Sequence, residues 1–221
     1  MPQNPAYTFE TFVSGKYARS AVATCVAVSR SPGRVHNPLF IHGPTCSGKT
    51  HLLHAIEHAV RRRDANVSIL QISTRALADR VLEAAITYKT EAFVRDLAEY
   101  EVLLTDDLPT LRKMTSTLEE VGRCFCELIQ RGVQVVATSA TSAELKVLAA
   151  YLPRDREPVV VGLQYPDLAS RLKIARSAAA KNDVQLSDRE LRAVARAVRS
   201  TPAIRAAVAR IAFVQRLNRQ Q

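Results

Sequence analysis

Gly43-Pro44-Thr45-Cys46-Ser47-Gly48-Lys49-Thr50 is the stretch that decides the fold of this 221-residue chain. It matches G-x-x-x-x-G-K-[ST], a loop whose backbone amides wrap phosphate groups. The run Pro38–His42 before it predicts a short buried strand, and His51–Ile56 after it has the apolar spacing of a helix. A helix that begins beside the loop adds about half a positive charge facing the phosphates. A chance match in a Gly/Ser turn is the alternative, but both flanking elements favour a nucleoside triphosphate site.

The last two residues of this loop and a pair of carboxylates further along predict a magnesium site. We expect Lys49 to reach the β- and γ-phosphates and Thr50 to offer its hydroxyl to Mg²⁺. The apolar run Val102–Asp107 predicts a strand that ends in two carboxylates. We expect Asp106 to hold Mg²⁺ through water and Asp107 to orient or deprotonate the attacking water. A helix cap or a turn is the alternative for an Asp-Asp pair.

The composition is typical of a globular protein. Hydrophobic residues make up 47% of the chain and charged residues 24%, which suits a packed core. No apolar run reaches the roughly 18 residues of a membrane helix, and Met1 opens no signal peptide. The four cysteines lack paired spacing, which indicates a reducing compartment. We therefore expect a soluble, cytoplasmic protein with no membrane partner.

The positive charge is concentrated near the end of the chain. The formal net charge is +10, and residues 170–221 hold 12 of the 31 lysines and arginines but only 3 of the 21 acidic residues. Such a basic block suggests an acidic partner, of which nucleic acid is the commonest. Solvated helix faces are the alternative.

Strands and helices alternate along the first three quarters of the chain. The predicted strands are Pro38–His42, Val67–Ile72, Val102–Asp107, Val133–Ser139 and Val159–Leu163. The predicted helices are 15–29, 49–63, 74–86, 90–99, 117–131 and a short one after the fourth strand. This alternation predicts an α/β fold with a largely parallel sheet, both faces covered, and nucleotide at the carboxyl ends of the strands.

The chain becomes wholly helical after Tyr165-Pro166. Ser187-Asp188-Arg189-Glu190 is a capping box, and Thr201-Pro202 gives a cap followed by proline at the first helical position. Likewise Thr117-Leu118-Glu119-Glu120 predicts the start of the helix that follows the Asp-Asp strand. We therefore divide the chain into a nucleotide-binding core, residues 1–165, and a small helical lid, residues 166–221.

Several stretches beyond the phosphate loop together resemble the AAA+ domain of the bacterial replication initiator DnaA, over nearly the whole chain. They are Tyr7–Val13, Asn37–Gly43, Gly48–Ile56, Lys89–Phe93, Leu103–Leu108 and Pro166–Leu168. The resemblance implies a five-stranded sheet of order 5-1-4-3-2 and a three-helix lid. It also implies an assembly in which an arginine of one subunit completes the ATP site of its neighbour.

Individual roles follow from the resemblance by position. Lys49 and Thr50 match the Walker A pair, and Asp106 with Asp107 the Walker B pair. Arg205 falls where the lid arginine, sensor II, touches the γ-phosphate. Arg154 falls at the trans-acting arginine finger, which is worth roughly 10³–10⁵ in rate in related phosphoryl-transfer systems. Residues 74–99 match the helical insertion that lines a single-strand DNA channel in the family.

The chain departs from the family pattern at positions that matter for hydrolysis. Pro44 and Cys46 replace glycines, so the loop backbone is less free to cradle phosphate. Ala140 stands at the sensor position of the fourth strand, where the family has Asp. The finger motif Ser-Arg-Phe is Pro153-Arg154-Asp155 here, and Arg156 is a rival. The basic DNA contacts after Walker B are matched only by the displaced Arg112-Lys113. We expect weak ATP hydrolysis, and only on assembly.

The family's amino-terminal partner-binding domain and its helix-turn-helix are not found in the 221 residues, so we do not expect base-specific reading of an origin. This organisation is also that of the Hda-type regulators, which pair with the initiator. We therefore expect an ATP- or ADP-binding, DnaA-like protein that acts in initiation or regulation of DNA replication by assembling with the initiator or itself, with non-specific or single-stranded DNA as a further partner. One alternative is a non-catalytic nucleotide-binding adaptor whose basic lid docks on nucleic acid. A helicase-loader or transposition-helper ATPase is another.

Three other signals have simpler explanations. His51, His54 and His58 share one helix face, but a structural or surface role is favoured over a metal site. Cys124 and Cys126 point away from each other on a helix, which disfavours a redox pair. Loop amides would stabilise a thiolate at Cys46, so its modification is predicted to block nucleotide binding.

Overall fold

The computed structural model describes residues 4–108, 115–152 and 156–218. They form two compact units. The first unit comprises Met1–Phe12, Ser20–Gly43 and Lys49–Leu163, and the second comprises Val13–Arg19, Pro44–Gly48 and Gln164–Gln221. Each unit is described below by itself.

The first unit is built on a five-stranded sheet whose described pairings are all parallel. Its strands are β1 Leu39–His42, β2 Ile69–Ser73, β3 Val102–Asp106, β4 Gln134–Ser139 and β5 Val159–Gly162. They lie in the order β2-β3-β4-β1-β5, with Leu39 opposite Val136 and Val159. This confirms the predicted order 5-1-4-3-2, read from the other edge. Parallel pairing collects all the carboxyl ends of the strands at one edge of the sheet.

Six helices connect these strands or precede them in the described part of the chain. They are α1 Arg19–Arg30, α2 Lys49–Arg63, α3 Thr74–Ile86, α4 Thr90–Leu97, α5 Thr115–Gln130 and α6 Ser142–Ala149. The prediction for α1, residues 15–29, was wrong at its start. The chain turns there instead, with the Ala18 amide donating to the Gly15 carbonyl and the Tyr17 hydroxyl to the Val13 carbonyl. Likewise α5 begins two residues before the predicted capping box at Thr117.

Both faces of the sheet are buried, which explains why β3 and β4 read as continuous apolar runs. On one face Phe40, Leu103 and Val135 join the core cluster formed with residues of α3, α4, α5 and α6. Successive strand residues point to opposite faces. Leu104 and Val136 directly follow Leu103 and Val135 in sequence, so they point to the other face, where they are also buried. The helix α2 packs against β3 and β4. This packing fixes the strand ends that carry the polar residues.

The second unit contains three helices among its described residues, α7 Leu168–Lys181, α8 Asp188–Ala197 and α9 Thr201–Asn218. They enclose a small core of their own, which includes Ile174, Leu191 and Ile204. The capping box at Ser187 and Glu190 forms as its sequence indicates. At α9 the cap prediction was one residue late, because the Ser200 hydroxyl accepts the Ala203 amide.

None of the helices in the described part of the chain has both the length and the apolar character needed to cross a membrane.

Candidate nucleotide site

The carboxyl edge of the sheet brings together the residues that the motifs single out in the first unit. Gly43 follows β1, and its amide donates to the carbonyl of Ser139 at the end of β4 (3.1 Å). Asp106 ends β3, which lies on the other side of β4. The ends of three adjacent strands therefore converge where α2 begins at Lys49.

The predicted magnesium ligands lie in direct contact. The Thr50 hydroxyl donates to Asp106 Oδ2 at 2.6 Å, and the Thr138 hydroxyl donates to Asp106 Oδ1. Asp106 is only 5% exposed, and Thr138 is fully buried. A hydroxyl and a carboxylate in contact form an oxygen donor set of the kind that Mg²⁺ binds in proteins. The residues present therefore fit a magnesium ion.

Lys49 is buried at the start of α2 despite its charge. It is 8% exposed, and its Nζ donates to the carbonyl of Gly43 at 2.8 Å. A buried ammonium is costly unless it is paired or hydrogen-bonded. Lys49 thus supplies a positive charge, held in place from within the first unit, at the edge of the sheet where Asp106 lies.

Asp107 leaves the strand in an unusual backbone conformation. Its φ is +63°, in the left-handed region that Asp tolerates better than most residues. Its amide donates to the Thr138 hydroxyl at 2.9 Å, so one hydroxyl links both aspartates. Burial raises the pKa of Asp107, as do the charges of Asp106 and Glu144, whereas Lys49 opposes the rise. The role of Asp107 toward the attacking water stays a prediction, and a raised proton affinity is the property that such a base needs.

The loop segment Pro44–Gly48 belongs to the second unit and has two residues with positive φ. These are Cys46 at +63° and Gly48 at +109°. Within the segment the Ser47 amide donates to the Pro44 carbonyl at 3.1 Å. The left-handed conformation carries little cost for Gly48 but is strained for Cys46. Cys46 therefore stands at a position whose backbone conformation favours glycine.

The end of β4 carries no carboxylate at Ala140. The carboxylate near this strand end belongs to Glu144, a residue that the sequence analysis missed. Glu144, buried on α6, accepts hydrogen bonds from the Ser139 hydroxyl, from the Thr141 hydroxyl (2.6 Å) and from the Thr141 amide (3.3 Å). The signal was present, because Thr141-Ser142-Ala143-Glu144 is a capping box directly after the strand. Thr138 was also missed, since a threonine in a strand carries no distinctive pattern.

Of the two arginines with predicted roles, Arg205 lies among the described residues and Arg154 does not. Arg205 lies exposed on α9 in the second unit, and its sensor role stays a prediction. Arg154 lies outside the described residues, as do its neighbours Pro153 and Asp155 and the basic pair Arg112-Lys113. Arg156, the rival of Arg154, is exposed.

The histidines of α2 hold the amino-terminal segment Asn4–Phe12. His51 Nε2 is 2.8 Å from the Thr8 carbonyl and His58 Nε2 is 3.0 Å from the Asn4 carbonyl, so each ring nitrogen donates. The ring of Tyr7 stacks on that of His51 with 4.6 Å between centroids. Among the described residues, no group of three or more histidine, cysteine, aspartate or glutamate side chains is placed to hold a metal ion.

Comparison with known protein families shows a match to the bacterial DnaA ATPase domain over residues 3–156. The chromosomal replication initiator protein DnaA of Cutibacterium acnes is 36% identical over 222 residues, covering 98% of this chain and 44% of the relative. The chain spans a little under half the length of the curated relatives that it matches.

Solved structures agree with the family match. Domain III of the Thermotoga maritima replication initiation protein DnaA superposes with a TM-score of 0.85 and 27% identity, covering 100% of this chain and 93% of that one. A replication initiator DnaA bound to AMPPCP and single-stranded DNA gives a TM-score of 0.81 at 21% identity, covering 99% and 70%, which shows the fold alone. The chain belongs to the family of bacterial DnaA AAA+ ATPase domains.

Proposed function

We propose that this chain binds ATP or ADP with Mg²⁺ and acts in the initiation or regulation of chromosomal DNA replication by nucleotide-dependent assembly with a DnaA-type initiator or with itself. The observation that carries the proposal is the 2.6 Å contact between Thr50 and Asp106 at the carboxyl edge of the sheet. Two elements 56 residues apart supply these oxygens, one from each nucleotide-binding motif.

The chemistry of the site follows from its residues. The backbone amides of the loop between Pro44 and Lys49 and the ammonium of Lys49 bind the phosphates. Thr50 and Asp106 would hold Mg²⁺, which would supply positive charge to neutralise the bound phosphates. Asp107 orients or deprotonates water, and its raised pKa supports that role. By resemblance, Arg205 contacts the γ-phosphate and Arg154 acts on the site of a neighbouring subunit.

Hydrolysis is expected to be weak and dependent on assembly. Ala140 offers no carboxylate at the end of β4, and the one that lies nearby, Glu144, already accepts hydrogen bonds from Ser139 and Thr141. The nucleotide would then act mainly as a signal for assembly, with turnover supplied by the finger arginine of another subunit.

Single-stranded DNA is the second ligand that we propose, along the insertion formed by α3 and α4. The turn between these helices exposes two large side chains, Ile86 at 76% and Tyr88 at 96%. Exposed aromatic rings offer a surface on which bases stack without sequence preference. An initiator of similar fold binds single-stranded DNA, and the same ligand is proposed for this chain.

The decisive experiment is nucleotide binding by Lys49→Ala, with Lys146→Ala on α6 as the matched control, since Lys146 is exposed. Titration with a fluorescent ATP analogue in Mg²⁺ should show tight binding by the wild type and the control. Lys49→Ala should lose it, because the ammonium that meets the phosphates is gone. Micromolar affinity, about 8 kcal/mol, retained by Lys49→Ala would contradict the assignment of the phosphate loop.

A second candidate is a non-catalytic adaptor in which nucleotide is structural and the basic second unit docks on nucleic acid. The exposed arginines of α8 and α9, such as Arg192 and Arg210, favour it. Turnover that appears on mixing with a DnaA-type initiator, and is lost in Arg154→Ala, would reject this candidate. A helicase-loader or transposition-helper role predicts instead a helicase or a transposase in a nucleotide-controlled pull-down.

A further inference from the structure

A cleft lined with arginines lies at the amino-terminal edge of the sheet in the first unit. Its volume is about 500 Å³, within the range of ligand sites. Val67, Glu101 and Val133 stand just before β2, β3 and β4 and form part of its lining. Parallel strands place this edge opposite the one that carries Gly43 and Asp106, so the cleft is separate from the nucleotide site.

Positive charge dominates the cleft. Its lining includes Arg30, Arg34, Arg63 and Arg131, against one carboxylate, Glu101. Arg131 lies 3.9 Å from Glu127 in an exposed pair, which contributes little. No acidic side chain of the described residues forms an ion pair with Arg30, Arg34 or Arg63. Four guanidinium groups around one concavity repel one another unless an anion neutralises them.

Helix ends explain only part of this arrangement. Arg30 ends α1, Arg63 ends α2, and Arg131 directly follows α5. A cation at a helix carboxyl terminus is favourable by itself. Arg34, however, lies in the loop after α1 and serves no helix end. The loop packs closely against the backbone of Gly132, because a Cβ atom added at Gly33 would stand 2.5 Å from the carbonyl oxygen of Gly132.

The lining also shows which anion the cleft suits. Guanidinium groups donate paired hydrogen bonds that match the oxygens of a phosphate group. Tyr100 contributes a half-buried aromatic ring to the same lining, on which a base can stack. We propose that the arginine cleft binds the phosphate groups of a nucleotide, either free or as part of a single strand. This site is additional to the phosphate loop and needs no nucleotide turnover.

The test uses the full chain with saturating Mg·ADP, so that the phosphate loop is filled, and a fluorescein-labelled 15-nucleotide oligothymidylate read by anisotropy. The cleft variant is Arg34→Gln with Arg63→Gln. The matched control is Arg123→Gln with Lys146→Gln, two exposed residues of α5 and α6, which removes the same charge. We expect the cleft variant to bind at least tenfold more weakly and its salt slope to fall by about 1.4, the share of two phosphate contacts on a single strand. The control should change binding less than twofold.

A second measurement distinguishes a free phosphate compound from the phosphates of a single strand. It also shows whether a variant has lost binding because it is misfolded. The melting temperature of Lys49→Ala is measured with and without inorganic pyrophosphate. We expect pyrophosphate to raise it, and we expect no such rise in the double variant Lys49→Ala with Arg34→Gln. Arg34→Gln alone leaves every helix end intact, so it should melt as the wild type does without ligand. A response to either probe that depends on the cleft arginines supports the proposal.

Equal losses in cleft and control variants would overturn the proposal in favour of bulk charge. Unchanged binding of both probes in the cleft variant would overturn it as well, because Arg34 and Arg63 would then contact no phosphate. Failure of the nucleotide site is distinguishable, because it would appear in the ATP titration of the wild type and leave the oligothymidylate result intact.

Discussion

The ends of β3 and β4 lie side by side, yet the carboxylates near them have different partners. At the end of β3, the carboxylate of Asp106 accepts hydrogen bonds from the hydroxyls of Thr50 and Thr138. After β4, Ala140 offers no carboxylate, and the carboxylate of Glu144 accepts hydrogen bonds from Ser139 and Thr141. The first arrangement orients oxygens that a metal can use, whereas the second uses its carboxylate for structure. Under the proposed function, we expect nucleotide binding to depend on the first strand end and not on the second.

The largest effect is expected at the β3 end. Asp106→Ala should lower the Mg²⁺-dependent nucleotide affinity about 100-fold, or about 2.7 kcal/mol, because it removes the carboxylate that meets Thr50. Calorimetric titration with and without Mg²⁺ measures it. Asp96→Ala, an exposed aspartate of α4, is the control. Equal nucleotide affinity of Asp106→Ala and wild type would mean that the β3 end does not contribute to nucleotide binding.

The β4 end should respond in stability rather than in binding. Glu144→Ala deprives the buried Ser139 hydroxyl and two donors of Thr141 of their acceptor, which should lower the free energy of unfolding by about 2 kcal/mol. Nucleotide affinity should stay within about twofold of wild type, a free-energy change of under 0.5 kcal/mol. Urea unfolding and the ATP titration measure the two quantities. A large loss of affinity with little loss of stability would show that Glu144 serves the nucleotide directly.

Restoring the family carboxylate should reduce the contrast between the two ends. We expect Ala140→Asp to raise ATP turnover on assembly by about tenfold, or about 1.4 kcal/mol of barrier, because a polar sensor returns beside the end of β3. Phosphate release with and without a DnaA-type initiator measures it, and Ala143→Asp at an exposed position of α6 is the control. Turnover that stays at the wild-type level would locate the defect in the finger motif around Arg154.

The smallest effect is expected in the loop. Cys46→Gly should stabilise the chain by about 0.5–1 kcal/mol, since glycine accepts a φ of +63° without the left-handed penalty, less its own entropic cost. Cys126→Gly within α5 should lower the free energy of unfolding by about 1 kcal/mol. Thermal unfolding of both variants measures the pair. A lower melting temperature for Cys46→Gly would show that the cysteine side chain contributes contacts that outweigh the strain.

Sequence analysis could predict those parts of the structure that depend on local pattern. Strand positions and the loop-to-helix junction at Lys49 were accessible because periodicity and turn residues act over a few positions. The strand order required the resemblance, since pairing between distant segments leaves no local mark. The start of α1 was missed because a Tyr17 hydrogen bond stabilises a turn where the apolar spacing still indicates a helix.

The parts of the site that sequence analysis missed depend on tertiary contacts. Thr138 is an ordinary strand residue until the neighbouring strand places Asp106 beside it. The arginines of the cleft lie up to 101 positions apart, from Arg30 to Arg131, and no window of sequence brings them together. Cys46 is the contrary case, since the resemblance, which has glycine at this position, predicted a loop backbone that is less free there, and the φ of Cys46 is +63°.

The stacking of Tyr7 on His51 has a mechanical consequence. His51 directly follows Thr50, so the segment at residues 4–12 is anchored one peptide bond away from a proposed magnesium ligand. A force applied to that segment would act on the start of α2, and so on Thr50, without passing through the sheet. The aromatic stack thus couples residues 4–12 mechanically to the proposed magnesium site, and the force at which the stack separates would be readable in a single-molecule stretching trace.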